Sequence, residues 1–524
     1  MSSAIAAARA RQVLLTTSLL VAGCGGAHIA AQSAARSPAG RERAVPVASI
    51  TAAVRASYTG PRTLRGRAVL RARVDGGTRI VAVTYELAGR AVGTVTRPPW
   101  SLAIDAPLLT PGTAKLRVTA VDRLGDRVLS PAVAVHVLRG GEHLVRVTTQ
   151  HRFDVVLPTL ARGHVRVLVG PGVYRADQIT LGPGARLTGS GRRTVLTPAA
   201  GSTGAAVITT SARDVRVSDL ALDGAGRTDY GMSISDGAAE VRVQRLRVGS
   251  VRGSGIELWG PHTDASIEDS VLVGRGATGA GVFDLGSGQS SDTSVIRTRI
   301  SGFRGYGVLF AQRFYGLAKA ANNNVALDNQ ISDIVDPSTH NGTDAGGIWS
   351  GGTEAAVIGN TISSTGTDGI ETVGSSTRDT IVDNNVSLTR VGIYIERSTN
   401  DSLVTRNRIA RVATGINVEW RHGGGSSLAN TFELNSIAAA RVGVFVDVQA
   451  NDNQILKNVF TAAAETPVIL QGSSGNTVRG NLACAVGSKP LVVLQTAQTE
   501  TGATATSTDN QVSDNGRTGT CTPP

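Results

Sequence analysis

A glycine followed by a short apolar strand recurs about eleven times between Tyr230 and Gln495. Most steps between repeats are 22 to 28 residues, and one is 40. A fixed period of this length, built from short β-branched strands, predicts an all-β solenoid, because one coil cannot bury its apolar residues without the next. The repeats begin at Gly231, Gly255, Gly281, Gly307, Gly347, Gly369, Gly392, Gly415 and Gly443, and prolines take the turn position at Pro467 and Pro490.

A column of asparagines follows the same period. In a parallel stack these residues would lie about 4.8 Å apart, and their amides could bond from coil to coil. We therefore expect a structural ladder rather than an active-site row. Tolerance of the left-handed conformation at a bend is a simpler reason for asparagine there. The column consists of Asn329, Asn360, Asn384, Asn407, Asn435, Asn458 and Asn481.

Residues 1–24 have the pattern of an export signal, with an apolar run from Val13 that is too short to span a bilayer as a helix. The segment Leu20-Val-Ala-Gly-Cys24 resembles the lipobox of bacterial lipoproteins. The resemblance implies lipidation of Cys24 and a membrane anchor at the extracellular face of the cell envelope. An ordinary secretory signal is the alternative. Residues 25–48 are rich in Ala, Ser, Gly and Arg and are expected to be a flexible tether.

The two remaining cysteines, Cys484 and Cys521, permit a disulfide in an exported protein. Such a bond would hold the C-terminal tail on the last coils. Two free thiols are the alternative.

The basic charge of the chain is concentrated at its N-terminal end. The net charge is +12, but residues 1–150 hold 20 basic and 7 acidic residues, and residues 151–524 hold 32 and 33. Wall polymers and anionic lipid headgroups are suitable neighbours for the basic end. Nucleic acid is not expected as a partner, because an aromatic-basic motif is missing from the sequence.

Residues 49–139 alternate polar and apolar residues in about seven short runs separated by turn signals, which predicts a β-sandwich. The segment from Val83 to Gly93, followed by Pro98-Pro-Trp100 and Thr119 to Gly125, resembles bacterial immunoglobulin-like modules. The resemblance implies a spacer or binding module rather than a catalyst.

Residues 142–515 form the predicted coil domain, and the run from Val165 to Tyr174 ends in Pro-Gly-x-Tyr before a Gly-rich turn. This opening and the repeated Gly-Ile/Val steps resemble the right-handed parallel β-helices of the pectate-lyase-like type. The resemblance implies the fold but no single reaction, because lyases, hydrolases, epimerases and non-enzymes share it.

Alternation along each strand puts the second residue after each glycine outside the coil. One outward face then presents aromatic, amide and acidic side chains on neighbouring coils. Rings pack on the C–H faces of sugars, and carboxylates bond hydroxyls or act in acid–base steps. We therefore expect this face to bind a polysaccharide or cell-wall glycan. Its predicted binding residues are Trp259, Trp349, Tyr394, Asn417 and Asp447.

Glu396, Glu419 and Glu371 are the candidate catalytic residues. Glu396 and Glu419 should lie one coil apart, with about 5 Å between their backbones. Two carboxylates at this distance repel each other, which raises the pKa of one of them and favours its protonated form. An acid/base or nucleophile/acid pair requires such a protonated member. The alternative is a solvated polar face with incidental carboxylates. The acidic face argues against a polyuronate lyase, which would need basic residues there.

Two histidines adjoin this face in the sequence. Arg421 and His422 enter a Gly-rich loop and are expected to rim the groove as substrate-binding residues. Gly260-Pro-His262 partly resembles the Asp-Pro-His motif of mannuronan epimerases, with glycine in place of the leading acid. We expect both histidines to be solvated loop residues. The long step from Gly307 to Gly347 is expected to wall the site. Neither a metal nor a cofactor is expected.

The sequence therefore predicts an envelope-anchored, monomeric β-helix protein that binds polysaccharide, with glycoside hydrolysis as the first catalytic candidate. A non-catalytic cell-surface adhesion protein is the main alternative. A polysaccharide epimerase or lyase ranks lower.

The lipobox resemblance leads to a direct test. Cys24→Ser should move the protein from the membrane fraction to the soluble fraction, because the acyl chains that hold it would be missing. Cell fractionation and immunoblotting measure this, with Cys521→Ser as the matched control that should stay in the membrane fraction. A Cys24→Ser variant that fractionates like the wild type would exclude the anchor.

Overall fold

The computed structural model describes residues 54–75, 79–106, 109–138, 144–285, 292–310, 323–335, 345–372, 376–396, 398–419, 426–462, 465–485, 488–499 and 502–518. Cys24, the tether, Cys521 and the pair Arg421 and His422 lie outside these residues.

The N-terminal strands form two small sheets that pack like a β-sandwich. The strands are β1 (Arg55–Tyr58), β2 (Thr63–Leu64), β3 (Arg67–Asp75), β4 (Ile80–Leu87), β5 (Arg90–Val95), β6 (Ser101–Asp105), β7 (Gly112–Asp122), β8 (Arg127–Leu129) and β9 (Val133–Val137). Nine strands are described where about seven were expected, and the additions include the short strands β2 and β8. One sheet has the order β1-β3-β6, and the other has the order β2-β9-β7-β4-β5 with β8 on β7.

The rest of the described chain is a right-handed parallel β-solenoid, as the glycine repeat predicts. Each complete coil gives one strand to each of three long sheets, named sheets 1, 2 and 3 in chain order. Sheet 1 has 15 strands: β10 (Leu144–Val147), β11 (Arg166–Val169), β14 (Arg186–Thr188), β17 (Arg216–Ser218), β20 (Ala239–Gln244), β23 (Thr263–Glu268), β26 (Thr293–Ile296), β29 (Val325–Leu327), β32 (Ala356–Ile358), β35 (Thr380–Val382), β38 (Leu403–Thr405), β41 (Thr431–Glu433), β44 (Gln454–Leu456), β47 (Thr477–Arg479) and β52 (Gln511–Ser513).

Sheet 2 contains the second strand of each coil and has 14 strands. They are β12 (Gly172–Ala176), β15 (Thr194–Pro198), β18 (Ala221–Asp223), β21 (Arg247–Gly249), β24 (Val271–Ala277), β27 (Arg299–Phe303), β30 (Gln330–Ile334), β33 (Thr361–Thr365), β36 (Asn385–Ser387), β39 (Arg408–Ala410), β42 (Ser436–Ala438), β45 (Val459–Thr461), β48 (Leu482–Cys484) and β53 (Gly516–Thr518).

Sheet 3 contains the strands that follow the glycines and has 13 strands. They are β13 (Ile179–Thr180), β16 (Ala206–Thr210), β19 (Tyr230–Ile234), β22 (Ile256–Trp259), β25 (Val282–Leu285), β28 (Val308–Phe310), β31 (Ile348–Ser350), β34 (Asp368–Thr372), β37 (Val391–Ile395), β40 (Thr414–Val418), β43 (Val442–Val446), β46 (Thr466–Gln471) and β49 (Val492–Gln495). A small hairpin, β50 (Ala497–Gln498) and β51 (Thr504–Ala505), follows, and a 3₁₀ turn covers Gly191–Arg193.

The glycine column is needed because successive backbones approach closely at the start of each sheet 3 strand. A Cβ at Gly392 would lie 2.5 Å from the carbonyl oxygen of Gly415, and one at Gly415 would lie 2.4 Å from that of Gly443. It would also overlap an inward side chain of sheet 2, such as Ile409 for Gly392. Any larger residue would therefore separate the coils.

The asparagine column is the predicted ladder. Each side-chain amide donates to the next asparagine's Oδ1, for example at 2.9 Å from Asn384 to Asn407 and at 3.0 Å from Asn407 to Asn435. Each buried amide also donates to a backbone carbonyl of the preceding coil. The expectation that these asparagines adopt the left-handed conformation was wrong. The residue before each of them adopts it instead, as at Asp383 and Arg406.

A second polar ladder lies at the other end of the sheet 1 strands, five residues before the first. Its upstream positions hold Ala355, Asp379 and Ser402, so the asparagine repeat is not visible there in the sequence. The coil-to-coil bond is still made, since the backbone amide of Ala355 donates to the Asp379 carboxylate at 2.9 Å. This column was not predicted, even though its later members repeat the spacing Asn-x-apolar-x-x-Asn. Those later members are Asn430, Asn453, Asn476 and Asn510.

One α-helix, α1 (Gln150–Arg162), covers the N-terminal end of the coil core. Phe153, Val156 and Leu160 are buried, and Phe153 lies 5.2 Å from Tyr174 between ring centroids. The hydroxyl of Thr149 accepts from the amide of Arg152 at the helix N-terminus. A solenoid needs such a cover because its first coil has no neighbour on one side. The i, i+3, i+7 spacing of these apolar residues is typical of a helix, but a helix was not among the elements predicted from the sequence.

The sandwich packs along the outer face of sheet 1, in contact with ten consecutive strands from β11 to β38. Arg127 forms a bidentate ion pair with Asp328 at 2.6 and 2.8 Å. A buried apolar cluster joins Val81 and Val121 of the sandwich to Ile358 and its neighbours in sheet 1. The immunoglobulin-like segment is thus attached to the solenoid over a long face and does not extend as a free spacer.

Two features of the chain termini remain predictions. Cys484 is buried and disulfide-bonded, but its predicted partner Cys521 lies outside the described residues. Among the described residues, no helix has the length and apolar character needed to cross a bilayer. Cys24 is not described, and its lipidation stays a prediction.

The asparagine ladder predicts a stability loss at single positions. Asn407→Ala would remove a buried amide and leave its partners without hydrogen bonds, which should cost about 1–3 kcal/mol of the free energy of unfolding. Denaturant or thermal unfolding measures this change. The control Asn385→Ala, on the exposed side of β36, should change stability by at most about 0.5 kcal/mol. Equal stability of the two variants would contradict the ladder's role.

Candidate functional site

The strand pairing aligns the predicted outward residues of sheet 3 in one row. Trp349 pairs with Glu371, Glu371 with Tyr394, Tyr394 with Asn417, and Asn417 with Phe445. Because the strands are parallel and in register, these side chains project from the same side of neighbouring coils.

A second row lies two residues further along the strands and contains three carboxylates. The backbone amides of Glu396, Glu419 and Asp447 each bond the preceding coil, at 2.9, 2.9 and 2.8 Å. Since Ile395 pairs with Val418, Glu396 and Glu419 are opposite each other on adjacent coils. Glu371 belongs to the first row and is therefore offset from both, as expected.

Tyr394 lies among the three candidate glutamates. Its hydroxyl donates to Oε2 of Glu419, and the side-chain amide of Asn417 donates to the same oxygen at 3.3 Å. Burial and the negative charges of Glu396, Glu419 and Glu371 raise the pKa of Tyr394, so the hydroxyl keeps its proton and acts as a donor. The side chains of both rows are thus connected around one phenol.

These carboxylates are not on a solvated face, which was the alternative considered from the sequence. Glu371 is 3 % exposed, Glu396 is 8 % exposed and Glu419 is 6 % exposed. Asp447 is equally buried, and its carboxylate accepts from the amide of Val448 at 2.8 Å. Buried carboxylates are costly unless they are paired or used, so this concentration of charge makes the face a candidate site.

An aromatic cluster adjoins the carboxylates on the N-terminal side. The rings of Tyr306 and Trp349 stack at 5.3 Å with an angle of 18°, and Trp259 and Phe283 pack against the same cluster. The Tyr306 hydroxyl donates to Oε2 of Glu371 at 3.4 Å, which joins the cluster to the carboxylates. Tyr306 was not among the predicted site residues because it precedes its repeat glycine instead of following it.

A further buried carboxylate lies at the other end of the first row. Glu257 pairs with Phe283 in the strand register and is almost completely buried. Burial raises the pKa of Glu257 to about 7, although the neighbouring hydroxyl of Tyr230 favours the charged form. The alternation places Glu257 on this face, but its protonation depends on the surrounding burial, which the strand pattern does not reveal.

His262 is not the solvated loop residue that the sequence analysis expected. It is 2 % exposed, with Nδ1 2.9 Å from the carbonyl oxygen of Gly260 and Nε2 3.1 Å from the hydroxyl of Thr293. Nε2 also lies 3.4 Å from Oδ1 of Asp284, which is fully buried. Burial opposes protonation, but Asp284 outweighs it and raises the pKa of His262. His262 therefore takes part in an internal polar pair, away from the outer face of sheet 3.

Several predicted elements of the site cannot be placed. Arg421 and His422 lie outside the described residues, so their role as a rim stays a prediction. The long step from Gly307 to Gly347 contains a complete coil with β29 and β30, and its extra residues fall mainly in 311–322 and 336–344, which are also outside. Among the described residues, no group of three His, Cys, Asp or Glu side chains could hold a metal ion.

The fold is that of a right-handed parallel β-helix, and residues 328–483 match the family model described as a right-handed β-helix region. A comparison with curated proteins finds no match.

Solved structures similar to this chain include several β-helix proteins of low sequence identity. The exopolygalacturonase of family 28 from Yersinia enterocolitica is 10% identical, with 88% of this chain and 98% of that chain covered and a TM-score of 0.43. The Dettilon tailspike protein is 12% identical, with 71% and 68% covered and a TM-score of 0.40. The Streptococcus pneumoniae surface protein and adhesin PfbA is 10% identical, with 72% and 97% covered and a TM-score of 0.40.

The raised pKa of Glu257 makes a pH-dependent contribution to stability. Because the folded-state pKa of about 7 exceeds the ordinary value of 4.5, this contribution is fully present below pH 4.5 and is lost as the pH rises through 7. Between pH 4.5 and pH 8, wild type should therefore lose up to about 3 kcal/mol relative to Glu257→Gln.

Unfolding free energies of both proteins across this pH range measure the effect. Glu240→Gln, on the exposed side of β20, is the matched control and should follow wild type. Parallel curves for wild type and Glu257→Gln would show that burial does not perturb this carboxyl group.

Proposed function

We propose that the outer face of sheet 3 binds a polysaccharide and hydrolyses its glycosidic bonds. The observation that carries this proposal is the buried arrangement of Glu371, Glu396 and Glu419 around the Tyr394 hydroxyl. In the aromatic cluster beside it, Trp259 and Phe283 are partly exposed and would supply the apolar surface on which a sugar ring packs, while Tyr306 and Trp349 are buried. A linear glycan would follow the stacked coils, because both rows continue from coil to coil.

In the proposed reaction, Glu396 is the general acid and donates its proton to the glycosidic oxygen as the bond to the leaving sugar breaks. Glu419 attacks the anomeric carbon as a carboxylate, and water then hydrolyses the glycosyl-enzyme ester with Glu396 as the base. The two residues face each other on adjacent coils, about 5 Å apart between backbones, so both carboxyl groups can reach the same sugar unit.

The other polar side chains have supporting roles in this proposal. The hydroxyl of Tyr394 and the amide of Asn417 orient Glu419 through the hydrogen bonds already described. Glu371 and Asp447 would bond sugar hydroxyls on either side of the reacting unit. Trp259 would form the binding platform, and Trp349, which is buried in the same cluster, would support it.

A non-catalytic glycan-binding surface protein is the second candidate. It is favoured by the hydrogen bonds within the site, since Glu419 already accepts from Tyr394 and Asn417, and Glu371 accepts from Tyr306. Carboxylates held in this way orient binding groups without necessarily exchanging protons. An epimerase or lyase acting on polyuronates ranks lower, because the described part of the face concentrates carboxylates, which repel an acidic substrate.

We propose a location at the cell envelope, anchored through Cys24. The support for this location is the lipobox resemblance of Leu20 to Cys24 and the tether-like composition of residues 25–48. A glycan of the surrounding wall would then be within reach of sheet 3.

Substitutions separate the two candidate functions. If the protein is a hydrolase, Glu396→Gln and Glu419→Gln should each lower turnover at least about 100-fold with little loss of stability. An amide at position 396 cannot exchange the proton, and an amide at position 419 cannot attack the anomeric carbon as a carboxylate does. If it binds without catalysis, Trp349→Ala should weaken glycan affinity while both glutamine variants stay near wild type.

Screening the full chain against a panel of neutral, amino and acidic glycans, with product analysis, measures both binding and cleavage. Glu240→Gln is the matched control and should behave as wild type does. If all three site variants bind and react like wild type, the face is not the functional site.

A further inference from the structure

Four arginines are stacked in sheet 1 at the end nearest the helix α1. Arg166 pairs with Arg186, Arg186 with Arg216, and Arg216 with Arg242 in the strand register. Like-charged residues stacked about 4.8 Å apart on neighbouring strands repel one another, so such a column is unfavourable unless anions neutralise it. Their side chains face the sandwich rather than bulk solvent, since Arg186 is 4 % exposed.

Arginines outnumber aspartates in part of this region, as far as the chain is described. Asp105 of the sandwich is shared by three arginines, at 2.7 Å from Arg166, 3.2 Å from Arg186 and 3.9 Å from Arg216. Among the described residues, four arginines of one ion-pair group share two aspartates: Arg67, Arg166, Arg186 and Arg216 with Asp105 and Asp214. A second group is balanced, since Arg97 and Arg242 pair with Asp264 and Asp292.

Arg216 is the member with the weakest partner. Its Nε is buried and has no hydrogen-bond partner among the described residues, and the same is true of Nη1 of Arg242. Burial and the neighbouring arginines outweigh Asp105 and lower the pKa of Arg216 to about 10. The side chains of Arg216 and Arg242 are still 21 % and 18 % exposed, and partly exposed guanidinium groups are suited to bidentate recognition of carboxylate or phosphate oxygens.

A cavity of about 420 Å³ lies between this column and the sandwich. Its lining includes Leu87 and Leu102 of the sandwich and Arg186, Arg216 and Arg242 of the solenoid. Three carboxylates, Asp105, Asp219 and Glu268, also line it, but they are outnumbered by five arginines. This volume lies within the range of small-molecule sites, and a lining that combines excess arginine with apolar side chains suits an organic anion.

We propose that this cavity binds a small molecule through phosphate or carboxylate oxygens, which accept hydrogen bonds from Arg216 and Arg242. The ligand contacts both the sandwich and the solenoid, so its binding stabilises the attachment of one to the other. This site is on sheet 1 and is independent of the glycan-binding function proposed for sheet 3.

The test uses the full chain with three probes: inorganic phosphate, pyrophosphate and citrate, each against sodium chloride at equal ionic strength. Isothermal titration calorimetry and thermal unfolding should show saturable binding and a rise in melting temperature beyond that in chloride, because a ligand of the folded state stabilises it. Arg216→Gln should raise the dissociation constant at least tenfold. Arg247→Gln, on β21 of sheet 2, is the matched control and should bind as wild type does.

A second variant keeps the test decisive if Arg216→Gln fails to fold. Ala91→Leu adds volume at a residue that lines the cavity, changes no charge, and should also abolish saturable binding. Binding of phosphate and pyrophosphate but not citrate would identify a phosphate ligand, and the reverse would identify a carboxylate. Responses no larger than those in chloride, or binding unchanged in both variants, would overturn the proposal.

Discussion

The architecture depends on keeping adjacent coils in register. Two features enforce it at different corners: the amides of the asparagine ladder bond from coil to coil, and the repeat glycines let successive backbones approach closely. A slip of one residue would turn every inward side chain of a strand outward. It would also place a side chain where Gly392 or Gly415 faces a carbonyl oxygen. The register is therefore fixed by buried polar bonds and by steric exclusion as well as by apolar packing.

The candidate site follows from that register. Residues far apart in the chain, such as Glu371 and Glu419, come to lie on neighbouring coils because each coil adds nearly the same number of residues. Several carboxylates are thereby concentrated on one face, where they share the donors Tyr306, Tyr394 and Asn417. The scaffold that aligns the coils thus also determines the electrostatics of the face.

The features that could be predicted from the sequence are those set by periodicity. The outward rows and the asparagine ladder follow from counting residues, and so does the adjacency of Glu396 and Glu419. Burial depends on what covers a face, which periodicity does not report, so the extent to which Glu371 is enclosed could not be predicted. His262 lies at a corner, where neither strand alternation nor helix spacing applies, and its contact with Asp284 joins different coils. The attachment of the sandwich depends on arginine–carboxylate pairs that are far apart in the chain, such as Arg127 and Asp328, which are 201 residues apart. Such pairs follow no repeat, so they could not be predicted.

The attachment of the sandwich also changes how the solenoid can fail. A stack in which each coil contacts only its neighbours behaves as a one-dimensional array, and its end coils can detach one by one. Here a single folded unit spans ten strands of sheet 1, from the coil of Arg166 to that of Arg406. Opening one of these coils means breaking its contacts with the sandwich as well as those with its neighbours. The sandwich therefore holds these ten strands together. Detachment of single coils should then be confined to the coils that follow Arg406.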